Sequence, residues 1–182
     1  MEQIILAGGC FWCLDSLFKQ IKGIEGIVCG YSGGSLISPT YQQVCSGESG
    51  HAEVIKVTYD PKQLPLTNLL EIFFSIHNPT TLNRQGNDVG TQYRSAIFVT
   101  DAIQRNLAED VISDLMIKND WGAPFVTEIS TLTTFYSAED KHQDYFTHHP
   151  ESLYCQITIG EKWQKLIKKH PKWLRDAGSV PF

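Results

Sequence analysis

Ile4-Ile5-Leu6-Ala7-Gly8-Gly9-Cys10-Phe11-Trp12-Cys13 is the stretch on which the fold turns. Four consecutive apolar residues suit a buried strand, and residues 11–21 read as a helix. The two glycines between them permit a tight turn and close approach of a substrate. A strand that runs straight into a helix places Cys10 at the helix N-terminus. Unpaired backbone N–H groups and the positive end of the helix dipole favour an anion there. The reading therefore predicts a Cys10 thiol with a lowered pKa, held partly as the nucleophilic thiolate. Other readings stay open, because a free cysteine is most often a small buried hydrophobe. The Cys-x-x-Cys spacing of Cys10 and Cys13 also fits half a zinc site or a thioredoxin-like dithiol pair. Zinc needs two further ligands, yet Cys29, Cys45 and Cys155 stand singly and His148 and His149 add no ligand spacing. No metal site is expected.

Outward from this stretch, strands are expected over residues 24–30, 52–59, 94–100 and 126–132. Leu66, Leu69, Leu70, Phe73 and His77 follow helical spacing up to Asn78-Pro79. Ile103, Leu107, Val111 and Leu115 do so behind an Asp101 cap. Strands interleaved with helices imply an α+β domain, helices packed on a mixed sheet. Residues 80–92 form a polar loop long enough to expect a functional role.

At 182 residues the chain suits one domain with a sizeable core. Five cysteines, an odd number, argue against a secreted disulfide framework and for a reducing compartment. With no signal-like segment and no membrane-length apolar run, the cytoplasm is the expected location. The net charge of −5 offers no broad attraction for nucleic acid. From Glu161 onward, six basic residues face two acidic ones, so the tail is +4 and the remainder −9. Residues 156–182 read as a basic C-terminal extension: a solvated amphipathic helix with Trp163, Leu166 and Ile167 packing inward.

Two further patterns carry chemistry. In Gly50-His51-Ala52-Glu53 and the strand after it, alternation puts Glu53 in a row with Ile55, Val57 and Tyr59. A carboxyl in an apolar row is pushed toward its neutral form and becomes a usable general acid near neutral pH; at the strand's end it can instead face water. In Tyr93-Arg94-Ser95-Ala96-Ile97-Phe98-Val99, Tyr93 would share a row with Ile97 and Val99 and bring a hydroxyl to the core's rim. Tyr41 is a second candidate donor, although such tyrosines are usually packing residues with a satisfied hydroxyl.

Together these parts resemble the peptide methionine sulfoxide reductase A family, which returns methionine S-sulfoxide to methionine. The resemblance runs from residue 4 to residue 155. It rests on Gly9-Cys10-Phe11-Trp12, Gly30-Tyr31-Ser32-Gly33-Gly34, Pro39-Thr40-Tyr41 with Val44-Cys45-Ser46-Gly47, and Gly50-His51-Ala52-Glu53. It continues through Gln85-Gly86-Asn87-Asp88-Val89-Gly90-Thr91-Gln92-Tyr93-Arg94-Ser95 and Ala138-Glu139-Asp140-Lys141-His142-Gln143.

The resemblance implies a two-layer α+β sandwich around a mixed sheet, with a ferredoxin-like core. It makes Cys10 the nucleophile, Glu53 the acid that protonates the oxygen, and Tyr41 and Tyr93 the hydroxyls that bind it. Phe11 and Trp12 form the methyl pocket, and Asp88 is a further polar residue of the site. The Cys10 sulfenic acid is cleared as a disulfide, which thioredoxin reduces. Many relatives carry glycine at the Cys13 position and rely on a cysteine near the C-terminus; this chain has both Cys13 and Cys155. Cys13 is the favoured first resolver because it lies one turn from Cys10, with Cys155 in a more mobile segment as a relay. Cys29 and Cys45 are expected to be structural. The reading is a cytoplasmic monomer without a cofactor, acting on free methionine sulfoxide and oxidised proteins. The alternative is a general dithiol-disulfide oxidoreductase working through Cys10 and Cys13.

Overall fold

The computed structural model describes residues 1–175; the end of the basic tail, Asp176 included, lies outside the described residues. The elements run β1 (Glu2–Gly8), α1 (Phe11–Phe18), β2 (Ile24–Ser32), α2 (Tyr41–Cys45), β3 (Ala52–Tyr59) and α3 (Leu66–Ile76). Then follow β4 (Arg84–Gln85), β5 (Asp88–Val89), β6 (Ser95–Val99), α4 (Ala102–Lys118), β7 (Glu128–Thr131) and β8 (Phe135–Ser137), closing with α5 (Tyr145–His148) and α6 (Leu153–Lys169). Six strands form one sheet in the order β7-β6-β1-β3-β2-β8. Only β6 and β7 pair in parallel, which makes the sheet mixed and the domain α+β. β3 lies between β1 and β2, and β1 lies between β3 and β6, so each helical crossover, α1 and α3, brackets an antiparallel strand.

The pleat sorts the core into two parts. Ile4, Leu6, Ile55, Val57, Ile97 and Val99 meet the helices on one face. Ile5, Ala7, Val54, Ala96 and Phe98 make a smaller cluster on the other, under Leu132 and Phe135. α3 buries Leu66, Leu69, Leu70 and Phe73, one face of a period-3.6 helix, and ends at His77 ahead of Pro79.

Several expectations are corrected. α1 stops at Phe18, short of residue 21. β6 begins at Ser95, and Tyr93 closes a single 3-10 turn (Thr91–Tyr93) instead of standing in the strand's row. On α4 the expected register is rotated. Ile103 is 72% exposed, while Gln104 turns inward. The reason is polar: the Gln104 amide accepts the Thr100 N–H at 3.1 Å and donates to the Gln3 carbonyl at 2.8 Å. The expected amphipathic helix is present, with Trp163 and Leu166 buried and Ile167 packed beside them, but it begins ahead of residue 156. Residue 156 falls inside α6, and Cys155, Ile159, Trp163 and Leu166 are fully buried with α1 and α3. Beyond α6, Arg175 donates from Nε to the Ile21 carbonyl at 3.2 Å, so the chain returns to the α1–β2 turn.

Candidate active site

The β1–α1 junction is built by two glycines. A Cβ on Gly8 would meet Phe73 at 2.9 Å, and Gly9 has φ +96° with Gln85 Cγ 2.6 Å from where its Cβ would stand. Only glycine takes that backbone geometry with a neighbour so close. Cys10 follows as the residue before the first helical turn and is 6% exposed.

The first free N–H of α1 does not go to the thiol. Phe11 N–H donates to Glu53 Oε2 at 3.0 Å. Glu53 sits on the helix-facing side of β3, as alternation requires, and is 1% exposed. Burial pushes its carboxyl up to about 8, against the pull of the Phe11 N–H and with help from the Asp88 and Cys13 charges. Glu53 is thus largely a neutral acid at neutral pH.

The expected low pKa of Cys10 is overturned. Burial holds this thiol well above its ordinary value, reinforced by its hydrogen bond with Cys13 and by the negative charges of Cys13 and Glu53. Cys13 moves the other way, lowered by the Cys10 hydrogen bond and the Lys162 charge against burial and Asp88. Desolvation outweighs the opposing pull of the Cys13 backbone N–H in the first turn of α1.

Tyr41 opens α2, whose first turn is fixed by a reciprocal cap. Gln43 N–H donates to Thr40 Oγ1 at 3.3 Å, and Thr40 N–H donates to Gln43 Oε1 at 2.9 Å. Glu139 anchors the same turn, accepting Tyr41 N–H at 2.9 Å and the Tyr31 hydroxyl at 2.8 Å. The Tyr41 hydroxyl is hydrogen-bonded to Cys45, which brings that cysteine into the site's surroundings. Cys29 is different: fully buried, it donates Sγ to the Phe11 carbonyl at 3.8 Å. Tyr41 and Tyr93 are both pushed far up by burial and then by the Glu53 charge. Both hydroxyls therefore stay protonated and able to donate.

Phe11 and Trp12 belong to a larger aromatic group. Tyr145 stacks on Trp12 with centroids 3.8 Å apart, and His142 lies 4.2 Å from the Tyr41 ring. Trp12 Nε1 and both His142 ring nitrogens are buried without a hydrogen-bond partner. Glu139, His142 and Tyr145 received no role from the sequence. For Glu139 and His142 the signal was available in the block 138–143, where a run of polar residues interrupts the C-terminal half; Tyr145 lies just outside it.

The polar loop 80–92 folds back through the short β4–β5 hairpin. Gln85 Oε1 accepts Asn78 N–H at 2.8 Å, and Gln92 Nε2 donates to the Cys45 carbonyl at 3.2 Å. The hairpin presents Asp88, whose carboxylate accepts the Tyr154 hydroxyl from α6. Asp88 and Tyr154 border a cleft of about 450 Å3 between the end of α3, the hairpin and α6. Cys155 lies in the first turn of α6, buried and within the electrostatic reach of Cys13. All five cysteines are free thiols. Among the described residues no cluster of His, Cys, Asp or Glu is arranged to hold a metal ion. None of the described helices is long and apolar enough to cross a membrane.

Comparison with known proteins decides the family. Residues 2–174 match the profile described as peptide methionine sulfoxide reductase. The chain belongs to the peptide methionine sulfoxide reductase family. Peptide methionine sulfoxide reductase MsrA of Chromobacterium violaceum is 48% identical over 176 residues, covering 97% of this chain and 100% of that protein. Among solved members, Mxr1 from Saccharomyces cerevisiae in reduced form superposes with a TM-score of 0.79 at 36% identity, over 85% of this chain and 88% of that one. Mxr1 in complex with Trx2 gives a TM-score of 0.56 at 26% identity, covering 79% and 84%. The reductase family thus spans almost the whole chain, α6 included.

Proposed function

We propose that this reductase acts on methionine S-sulfoxide, free and in oxidised proteins, through Cys10, with Glu53 as the proton donor. The observation that carries the reading is the neutral, buried Glu53 carboxyl. It accepts the Phe11 N–H on Oε2, and Oε1 has no hydrogen-bond partner among the described residues. A sulfoxide oxygen leaves sulfur only when protonated, and an acid in this state supplies that proton at neutral pH. The Cys10 sulfur attacks the substrate sulfur, and Glu53 gives its proton to the oxygen. Methionine leaves while the oxygen ends on Cys10 as a sulfenic acid. Tyr41 and Tyr93 are suited to donate to the developing charge on that oxygen. Phe11 and Trp12, backed by Tyr145, supply the apolar wall for the methyl group, and Asp88 borders the site from the hairpin.

Cys13 is assigned as the resolving thiol and Cys155 as a relay behind it. The hydrogen bond between Cys10 and Cys13 supports the first, and the proximity of Cys155 to Cys13 supports the second. The yeast relative's complex with Trx2 supports thioredoxin as the reductant. The crossovers through α1 and α3, with helix residues confined to the larger core cluster, support a two-layer sandwich of ferredoxin-like topology. The same reading places the enzyme in the cytoplasm as a monomer.

Incubation of the Cys10→Ser variant with separate S and R epimers and dithiothreitol tests the assignment. The parent enzyme should consume only the S epimer, and the variant neither. Substantial turnover by the variant would sink it. A general dithiol oxidoreductase would instead reduce insulin disulfides without needing Glu53.

A further inference from the structure

Gln85, on the two-residue strand β4, presses on the turn that carries Cys10. Its Cγ, Cβ and Cδ lie 2.6, 3.0 and 3.9 Å from where a Gly9 Cβ would stand, so its stem fills the space that the glycine leaves open. A glutamine side chain has many rotamers, and holding it in one place costs entropy unless its amide is bound. Here both ends of the amide are used. Oε1 accepts the Asn78 N–H at 2.8 Å, and Nε2 donates to the Asn78 carbonyl at 3.1 Å. The amide exchanges two hydrogen bonds with one backbone residue, as paired residues do in an antiparallel ladder.

Asn78 is itself fixed. Its Oδ1 accepts the Thr80 N–H at 2.9 Å and the Thr80 hydroxyl at 2.7 Å. It follows His77, which bonds the Phe73 carbonyl and Ser95 Oγ, both at 2.7 Å, and whose ring lies against Gly8. The end of α3 therefore supports both glycines, Gly8 directly through Phe73 and His77, and Gly9 through Asn78 and Gln85. A turn of two glycines has no side chains of its own to hold it, so its geometry depends on that bed. Gln85 also faces Asp88 across the β4–β5 hairpin, which joins the bed of Cys10 to a residue bordering the site. With its amide engaged by Asn78, Gln85 reaches the reaction through Gly9.

We propose that Gln85 is a positioning residue for sulfoxide reduction: clamped to Asn78, it holds the Gly8-Gly9 turn so that the Cys10 sulfur stands in line with the substrate sulfur. The proposal rests on the reading that Cys10 is the nucleophile. Attack demands close alignment of the reacting atoms, and a displacement of about 1 Å costs on the order of a hundredfold in rate. Such a residue is felt in the chemical step and not in substrate affinity.

Gln85→Ala removes the stem and the amide; Gln85→Met keeps an unbranched stem against Gly9 and loses both bonds to Asn78. Reduced enzyme is mixed with methionine S-sulfoxide over a range of concentrations, and the first release of methionine gives a rate constant, an amplitude and a half-saturating concentration. In Gln85→Ala the rate constant at saturation should fall about ten- to hundredfold, with the other two quantities as in the parent. In Gln85→Met, which carries the test if Gln85→Ala does not fold, it should fall about three- to tenfold. A misplaced nucleophile slows every molecule, whereas a partly unfolded population lowers the amplitude and leaves the rate constant of the folded remainder intact. A parental rate constant in either variant overturns the proposal, and so does a loss of amplitude alone. A raised half-saturating concentration at an unchanged rate constant also overturns it, since Gln85 would then serve substrate binding through the Asp88 hairpin. Cys10→Ser separates the underlying reading. If that variant releases methionine at the parental rate, the assignment of the nucleophile itself fails, whatever Gln85 does.

Discussion

At the residue scale the site is governed by desolvation. Glu53 and Cys10 share a nearly waterless corner, and burial raises both, but the consequences differ. A raised carboxyl is a competent acid, whereas a raised thiol is a reluctant nucleophile, so the site is prepared first for protonation of the substrate. Glu53→Gln preserves shape and the Phe11 hydrogen bond but holds no transferable proton. It should slow sulfoxide reduction by about two to four orders of magnitude. The parental single-turnover rate should fall as pH rises through about 8, where Glu53 ionises. The sign for stability is opposite to that of an ordinary ion-paired carboxylate. Folding lifts this carboxyl from 4.5 to about 8, so its contribution is fully present below the lower value and is lost as pH rises through the upper one. Urea titrations in alkaline buffer should find Glu53→Gln more stable than the parent by roughly 2–4 kcal/mol. Equal midpoints would mean that burial does not charge Glu53 this cost.

At the element scale, α6 is the amphipathic helix that its spacing predicts. Its sequence carries many lysines, yet Trp163 is fully buried and the helix packs on α1 and α3. Trp163→Ala should cost about 3–5 kcal/mol in denaturant unfolding, the range for a large aromatic removed from a core. A loss under 1 kcal/mol would be the behaviour of a surface helix. The short α1 belongs to the same scale. Lys19 pairs with Asp15 at 2.7 Å and also with Asp144, next to the Tyr145 that stacks on Trp12. Asp15 is pushed up to about 6 by burial against the pull of Lys19, so it depends on that partner for its charge. Lys19→Met should therefore lower stability by about 1–3 kcal/mol near neutral pH and much less in mild acid, where Asp15 is protonated. Urea unfolding at two pH values reads the difference.

At the scale of the whole molecule, helices from both ends of the chain close over one face of one sheet. The return of Arg175 to the α1–β2 turn ties the described C-terminus to the N-terminal crossover. Urea unfolding should accordingly give one transition, coincident by tryptophan fluorescence and far-ultraviolet circular dichroism. Two separated transitions would show α6 folding as a unit of its own.

What was readable without coordinates is what local chemistry dictates. The apolar run 4–7, the alternation of 52–59 and the spacing of 66–73 each specify an element by period alone. β3 occupies the expected residues, with Glu53 on the expected face. The cysteine and tyrosine positions were legible for the same reason, because the motif blocks are contiguous. Tertiary structure decided the rest. How deeply Cys10 is buried depends on what packs against the helix terminus, and so the thiol's pKa could not be read from that terminus alone. Gln104 displaces Ile103 because a backbone carbonyl from β1 and an N–H ahead of α4 both need a partner. The gathering of His142 and Tyr145 around Trp12, and of Glu139 at the first turn of α2, comes from packing between segments far apart in the chain. Period and spacing act within a segment, whereas desolvation and pairing depend on what is brought against it, and only the folded chain brings it there.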